Sequence, residues 1–362
     1  MIKTINGWRA VFALMIVLFH VGVAGFEEMT WAGVSFFLMA SGFLLTLKYP
    51  FAQLDGAGYR RFAWSHALKL YPLHWLTLAI WMAALAIVGT LVIDSVALSL
   101  NIGLLHSWSF THAIYFSYNK FSWFLSTLLF CYLCFPLLAR RYATLPSRPK
   151  LVILAVLILI DIIILAVTGN DDYSRTALYV FPPVRIIDFV IGMTLASLLP
   201  QIQSTGLFGK EANGTDAELA SIALLSGTII LYRACSKELL PWSDAMLWWL
   251  AVATILVLSF LYAKREGFIG KILTSRPLQW LGDISFEIFI LQGIAALIYN
   301  WLVEPVMAHW GVQSVYKMVA IDLFGASAPG LITWLILPID ILLAWAVNRL
   351  FTRPVARLLK LK

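Results

Sequence analysis

An all-α, polytopic membrane helix bundle of about ten transmembrane helices, with both termini cytoplasmic, follows from three features of the sequence. Hydrophobic residues make up 61% of the 362-residue chain and charged residues only 12%, against about 45–50% and about 25% in soluble domains. Apolar runs of about 18–20 residues recur between short polar breaks, each long enough to cross about 30 Å of hydrocarbon. The basic residues are distributed unevenly between the two sides of those runs. This composition excludes a nucleic-acid-binding module, a disulfide scaffold and a disordered chain.

The first run, 8–26, is longer than the 7–15 residues usual for a cleaved leader and carries a His and an Arg, so it reads as a retained anchor. Runs 31–48 and 72–93 flank a basic inner loop. The stretch 97–118, with Asn101, His106, Ser109, Thr111 and His112, is too polar to span and reads as extramembrane or re-entrant. Runs 122–139 and 151–168 are separated by the basic pair Arg140 and Arg141, and 181–199 opens at Pro182 and Pro183. The run 219–235 is the weakest. Runs 244–263, 283–303 and 330–351 complete the set, the last with an expected kink at Pro338. A single membrane domain over 1–362 is expected, in the cytoplasmic (inner) membrane.

With the N-terminus inside, 20 basic residues lie on the inner side and six on the outer, namely Lys120, Arg175, Arg185, Arg233, Lys237 and Lys317. Lys and Arg resist translocation, so this asymmetry fixes the expected orientation and accounts for the net charge of +7. The loop at 200–218 is the exception, since Lys210 faces Glu211, Asp216 and Glu218. Cys131, Cys134 and Cys235 are too few for a framework, and the CxxC spacing lies inside an apolar run, which suits small filler residues.

Chemistry is expected where the membrane makes polarity costly: an ionisable group in hydrocarbon costs at least about 2.5–3.5 kcal/mol on insertion scales. Arg9 and His20 are eleven residues apart, which at about 100° each ends about 20° past three turns and about 16 Å along the axis. They share a face, with Arg9 in reach of a cytoplasmic anion and His20 deep enough to act as a base on a hydroxyl. The same spacing also suits a snorkelling Arg and a hydrogen-bonded bundle His.

The segment WRAVFALMIVLFH followed by GVSFFLMASGFLL at 33–45 resembles the opening signature of the acyltransferase-3 family of bacterial membrane-bound O-acyltransferases. HALKLYPLHW at 66–75 is similar to its basic motif ending in Tyr-Pro. WFLSTLLFCYLCFPLL at 123–138 is similar to its Trp-Phe-Leu segment, and PPVRIIDFVIGMTLA at 182–196 to its Arg, acidic, Phe, Gly motif. LGDISFEIFILQ at 281–292 and LFTRPVARLL at 350–359 complete the likeness over nearly the whole chain.

The resemblance implies transfer of an acyl group, commonly acetyl, from cytoplasmic acyl-CoA to a hydroxyl of a cell-surface or exported glycan. Acyl-CoA is a co-substrate, and no bound cofactor or metal is implied. The resemblance makes His20 the catalytic base, gives Arg9 a supporting role, and assigns the CoA phosphates to His66 and Lys69, where the family usually has Arg. Arg60 and Arg61 are candidates to share that task, although the positive-inside rule alone also explains these cations. Three positions depart from the family: Leu128 where many members have Glu, Gln292 where many have His, and Thr352 where Glu is common.

Other candidates come from the residues themselves. Arg185 and Asp188 are i and i+3, able to pair across one turn or to shape a pocket around His20 together with Trp123. Asp283 and Glu287 are i and i+4 at the start of the ninth run, expected on one helical face. Asp161 and Asp340 are expected to face other helices. Ser35 and Ser41 sit among Gly33, Ala40 and Gly42, which suits close helix packing, with Ser41 a candidate donor contact. His74, His106, His112 and His309 lie near the ends of apolar runs, lack metal-ligand spacing and are expected to be surface or interface residues. The lipid bilayer, acyl-CoA and a hydroxyl acceptor are the expected partners; a transporter or flippase, in which the same polar groups would line a conduction route, is the alternative.

Overall fold

The computed structural model describes residues 2–20, 27–49, 56–87, 89–168, 172–204, 214–234, 243–262, 267–303 and 335–360, and no strand occurs among them. Helices α1 (Lys3–His20), α2 (Glu27–Lys48) and α3 (Gly56–Ile87) are followed by two short ones, α4 (Ser95–Ile102) and α5 (His112–Tyr115). Then come α6 (Trp123–Thr144), α7 (Ser147–Thr168), α8 (Asp172–Val180), α9 (Pro182–Ser204), α10 (Gly214–Ala234) and α11 (Ser243–Leu261). The last group is α12 (Phe268–Leu273), α13 (Arg276–Asp283), α14 (Ser285–Ile298), α15 (Ile336–Val347) and α16 (Arg353–Leu358). Among the described residues three helices, within Gly56–Ile87, Lys120–Thr144 and Pro182–Ser204, are long and apolar enough to cross a membrane, or four if a bent pair counts as one span. Residues 21–26 of the first expected run and 330–334 of the last lie outside the described set, as do Arg265, His309 and Lys317.

Two expectations need correction. The basic stretch before the third run is not a loop: α3 begins at Gly56, so Arg60, Arg61, His66 and Lys69 lie on the same helix as the apolar part. Arg, Ala and Leu are good helix formers and nothing in YRRFAWSHALKL breaks the ladder. The ninth run is broken at Ile284, where α13 and α14 meet at 70°. Asp283 and Glu287 therefore sit on two helices rather than one face of a single one. The break follows from packing, because Gly282 lies against the Asn6 carbonyl of α1, where a side chain would not fit.

Helices α2 and α9 make the closest crossing. A Cβ on Gly42 would strike the carbonyl of Phe189, and one on Gly192 would strike the carbonyl of Met39, so the two backbones touch at two points. Around this pair the buried apolar residues form two groups. One gathers α1, α2, α9 and α11 about Phe12, Phe36 and Trp249; the other gathers α1, α3, α6 and α14 about Phe121, Phe124 and Phe289. Helix α1 contributes to both.

Between α3 and α6 the chain folds back along α3. Three consecutive carbonyls at the end of α4 accept from three α3 side chains: Asn101 from His74 Nε2 at 2.7 Å, Ile102 from Trp75 Nε1 at 3.1 Å and Gly103 from the Tyr71 hydroxyl at 3.0 Å. A helix end leaves its last carbonyls without intrahelical donors, and non-helical backbone at membrane depth is tolerated only when protein satisfies it. Tyr71 and Trp75 lie twelve or more residues back from Ile87 along α3. The stretch 97–118 is thus fastened along α3, and His74 and His106, expected near an interface, are both buried.

Candidate active site

A cavity of about 540 Å³ opens between α1, α2, α3, α6 and α14. Arg9 enters it from α1 and Ser41 and Lys48 from α2, while α3 supplies His66 and Lys69. Leu128 and Tyr132 of α6, Asp283 and Glu287, and then Asn348 and Thr352 close the remaining walls. Its mouth is basic, since Lys48 and Lys69 are both exposed. Its interior brings one cation, Arg9, to the same walls as two carboxylates, Asp283 and Glu287. Asp283 Oδ1 also accepts from Asn6 Nδ2 at 3.0 Å, tying the α13 end to α1.

Glu287 is buried, and its Oε1 accepts from Asn348 Nδ2 at 2.8 Å. Asn348 begins a π-helical turn, Asn348–Thr352, that links α15 to α16. Such turns are over-represented at functional sites. His66 is buried, stacked on Phe62 at 4.0 Å and edge-on to Tyr132 at 5.0 Å, and its Nδ1 donates to the Phe62 carbonyl at 2.9 Å. Ser41 Oγ donates to the Phe37 carbonyl at 2.7 Å.

The cavity wall ends on Phe124 and Phe289, whose ring centroids lie 5.0 Å apart. His20 does not line it. Phe289 packs on Phe121 at 6.4 Å, and Phe121 meets the His20 ring edge-on at 4.9 Å. His20 is partly buried. Gln292 Oε1 lies 2.9 Å from His20 Nδ1, and Gln292 Nε2 donates to the Phe289 carbonyl at 2.7 Å. With its amide so oriented, Gln292 presents an acceptor to Nδ1. The neutral ring therefore carries its proton on Nδ1 and its basic lone pair on Nε2.

Of the residues proposed from sequence, the structure brings Arg9, Ser41, His66, Lys69 and Glu287 to one cavity and places His20 beyond its aromatic end. Arg60 and Arg61 are exposed on the inner part of α3 and are not in its wall. Trp123 packs on Tyr179 at 5.0 Å, and its carbonyl accepts from Ser107 Oγ at 2.9 Å. Arg185 and Asp188 form a buried ion pair at 3.2 Å. Arg185 also donates to Ser35 Oγ at 3.3 Å and lies over the Tyr179 ring at 5.1 Å, while Asp188 accepts from Trp249 Nε1 at 2.6 Å. Trp123, Arg185 and Asp188 are all outside the cavity wall.

Three contributors escape the sequence reading: Lys48, counted there only as an inner charge, Tyr132 and Asn348. Gln292 was noted only as a departure, and an amide inside an apolar run is the signal that would have given it a partner to seek, because hydrocarbon offers it none. The three positions that depart from the resemblance all border the site. Leu128 and Thr352 line the cavity, and Gln292 holds His20.

Comparison against known families finds that residues 2–348 match the profile of an acyltransferase domain. No curated protein and no solved structure matches the chain. The match covers nearly the whole sequence, and the protein is a member of the acyltransferase-3 family.

Proposed function

We propose that the protein transfers an acetyl group from cytoplasmic acetyl-CoA to a hydroxyl of a cell-surface or exported glycan, with His20 as general base. Acyl transfer as such follows from the family; donor, acceptor and base are our reading. The observation that carries it is the His20–Gln292 contact, which leaves Nε2 as the basic nitrogen of an intramembrane imidazole close above a basic-mouthed cavity.

In this reading the CoA phosphates meet Lys48 and Lys69, and the pantetheine arm passes Arg9 towards Phe124 and Phe289. Those rings part to admit the thioester. A glycan hydroxyl reaches His20 from the opposite face, and Nε2 takes its proton as the oxygen attacks, a contribution of about 10²–10⁴ in rate for a well-placed base. Holding the two reactants in line supplies a further large share.

The test is release of CoA, and transfer of label to the acceptor, by the purified protein given labelled acetyl-CoA and a glycan with free hydroxyls, compared with His20→Ala. Turnover that His20→Ala abolishes, with folding and membrane insertion intact, supports the reading. Turnover that survives the substitution overturns His20 as base, and solute movement with no thioester consumed establishes a transporter instead.

A further inference from the structure

Trp81 lies twelve residues beyond Lys69 on α3, about 18 Å of helical rise, and His20 lies about 16 Å of rise beyond Arg9 on α1. Lys69 and Arg9 border the same cavity. The indole is 7% exposed, and among the described residues its Nε1 has no acceptor. Buried donors are nearly always paired, so one left open marks a position awaiting a partner.

Gly293 connects this donor to the base. A Cβ built there would lie 2.8 Å from Trp81 Cζ2 and 2.8 Å from Phe121 Cε2. Cζ2 is two bonds from Nε1, so the nitrogen-bearing edge of the indole meets the residue that follows Gln292. Phe121 is the ring that packs on His20. The missing side chain at 293 thus lets Trp81, Phe121 and the His20–Gln292 pair converge on one stretch of backbone.

We infer that Trp81 is a catalytic residue whose Nε1–H binds the thioester carbonyl oxygen and holds it as the oxyanion of the tetrahedral intermediate. This rests on the acyl-transfer reading with His20 as base. The hydroxyl oxygen bonds to the thioester carbon, the carbonyl electron pair moves onto oxygen opposite Trp81 Nε1, and the hydroxyl proton passes to His20 Nε2. Collapse restores the carbonyl, breaks the carbon–sulfur bond, and the departing sulfur takes the proton from Nε2. Trp81 keeps its own proton throughout. Indole suits this role because it donates and never accepts, so it does not compete for the hydroxyl proton. Being open beforehand, it need break no bond to engage.

The experiment uses the full-length purified protein, acetyl-CoA carrying ¹³C at the carbonyl, and two readouts: the isotope-edited infrared band of the bound thioester without acceptor, and the rate of CoA release once a glycan with free hydroxyls is added. In the native protein the bound band moves to lower frequency than in water-free solvent. Trp81→Phe returns the band to the unbonded position and slows CoA release about 10²-fold, the loss found when one oxyanion donor is removed, with CoA affinity within about twofold of the native value. His20→Ala keeps the shifted band while losing the rate. Trp81→Phe with an unshifted rate overturns the inference, and so does a native band at the unbonded position, a measurement that needs no variant to fold. A native protein that turns acetyl-CoA over while failing either test refutes Trp81 alone; a native protein that consumes no thioester refutes the acyl-transfer reading and this inference with it.

Discussion

Gln292 Oε1 accepts from His20 Nδ1 at 2.9 Å while the other end of the same amide is tied to the Phe289 carbonyl at 2.7 Å. Both ends of the glutamine are thereby committed, and the ring is held in one tautomer by a neutral partner. Gln292→Leu removes this acceptor from Nδ1 and loosens the hold on the ring's tautomer. Acetyl-CoA turnover is expected to drop at least about 10-fold, short of the full loss of the base, about 10²–10⁴. Affinity for CoA should be unchanged. A Gln292→Leu protein at native turnover would remove the amide from the mechanism.

Lys48 and Lys69 stand at the mouth of the cavity on two different helices. If they meet phosphates, each contributes a charge-assisted hydrogen bond of about 1.5–3 kcal/mol. Lys69→Ala should raise the KM for acetyl-CoA by about 10-fold or more and leave kcat nearly unchanged, and added salt should narrow the difference. Steady-state kinetics at two ionic strengths checks this, and an Arg61→Ala control, outside the cavity wall, should change neither constant.

The glycines of the α2–α9 crossing make a stability prediction. A Gly192→Val side chain would enter the space of the Met39 carbonyl, backbone that cannot rotate away. Overpacking of this kind costs about 3 kcal/mol, seen as a lower melting temperature in detergent. Gly227→Ala, whose Cβ would meet nothing within 4 Å, should be neutral or stabilising by comparison.

The segment packed along α3 makes a second stability prediction. His106 is buried, donates from Nε2 to Ser122 Oγ at 3.1 Å and lies parallel to the His74 ring at 6.1 Å. His106→Ala leaves the space of the ring empty and removes a buried hydrogen bond, a loss of about 1–3 kcal/mol, which a lower melting temperature in detergent should report.

The all-helical, apolar character of the fold was legible because long apolar runs report membrane physics directly. Helical period put Arg9 and His20 on one helix, but only the structure shows that Arg9 lines the cavity and His20 does not. The break at Ile284 was not legible: LGDISFEIFILQ contains no Pro, and the bend arises from Gly282 meeting Asn6, a contact 276 residues away in sequence. Arg185 and Asp188 were readable as a pair but not as a pair turned towards Trp249 and Ser35, since the rotation of α9 is set by Gly192 against α2. Gln292 was noted as a departure from the family, and only its distance from His20 gives it a purpose.

Two backbones locked against each other at staggered glycines behave as one rigid post. Ser41 and Lys48 stand on that post, so their side of the cavity is fixed in place. The facing wall is built differently: Phe124 and Phe289 come from α6 and α14, and the π-helical turn Asn348–Thr352 interrupts the α-helical ladder between α15 and α16.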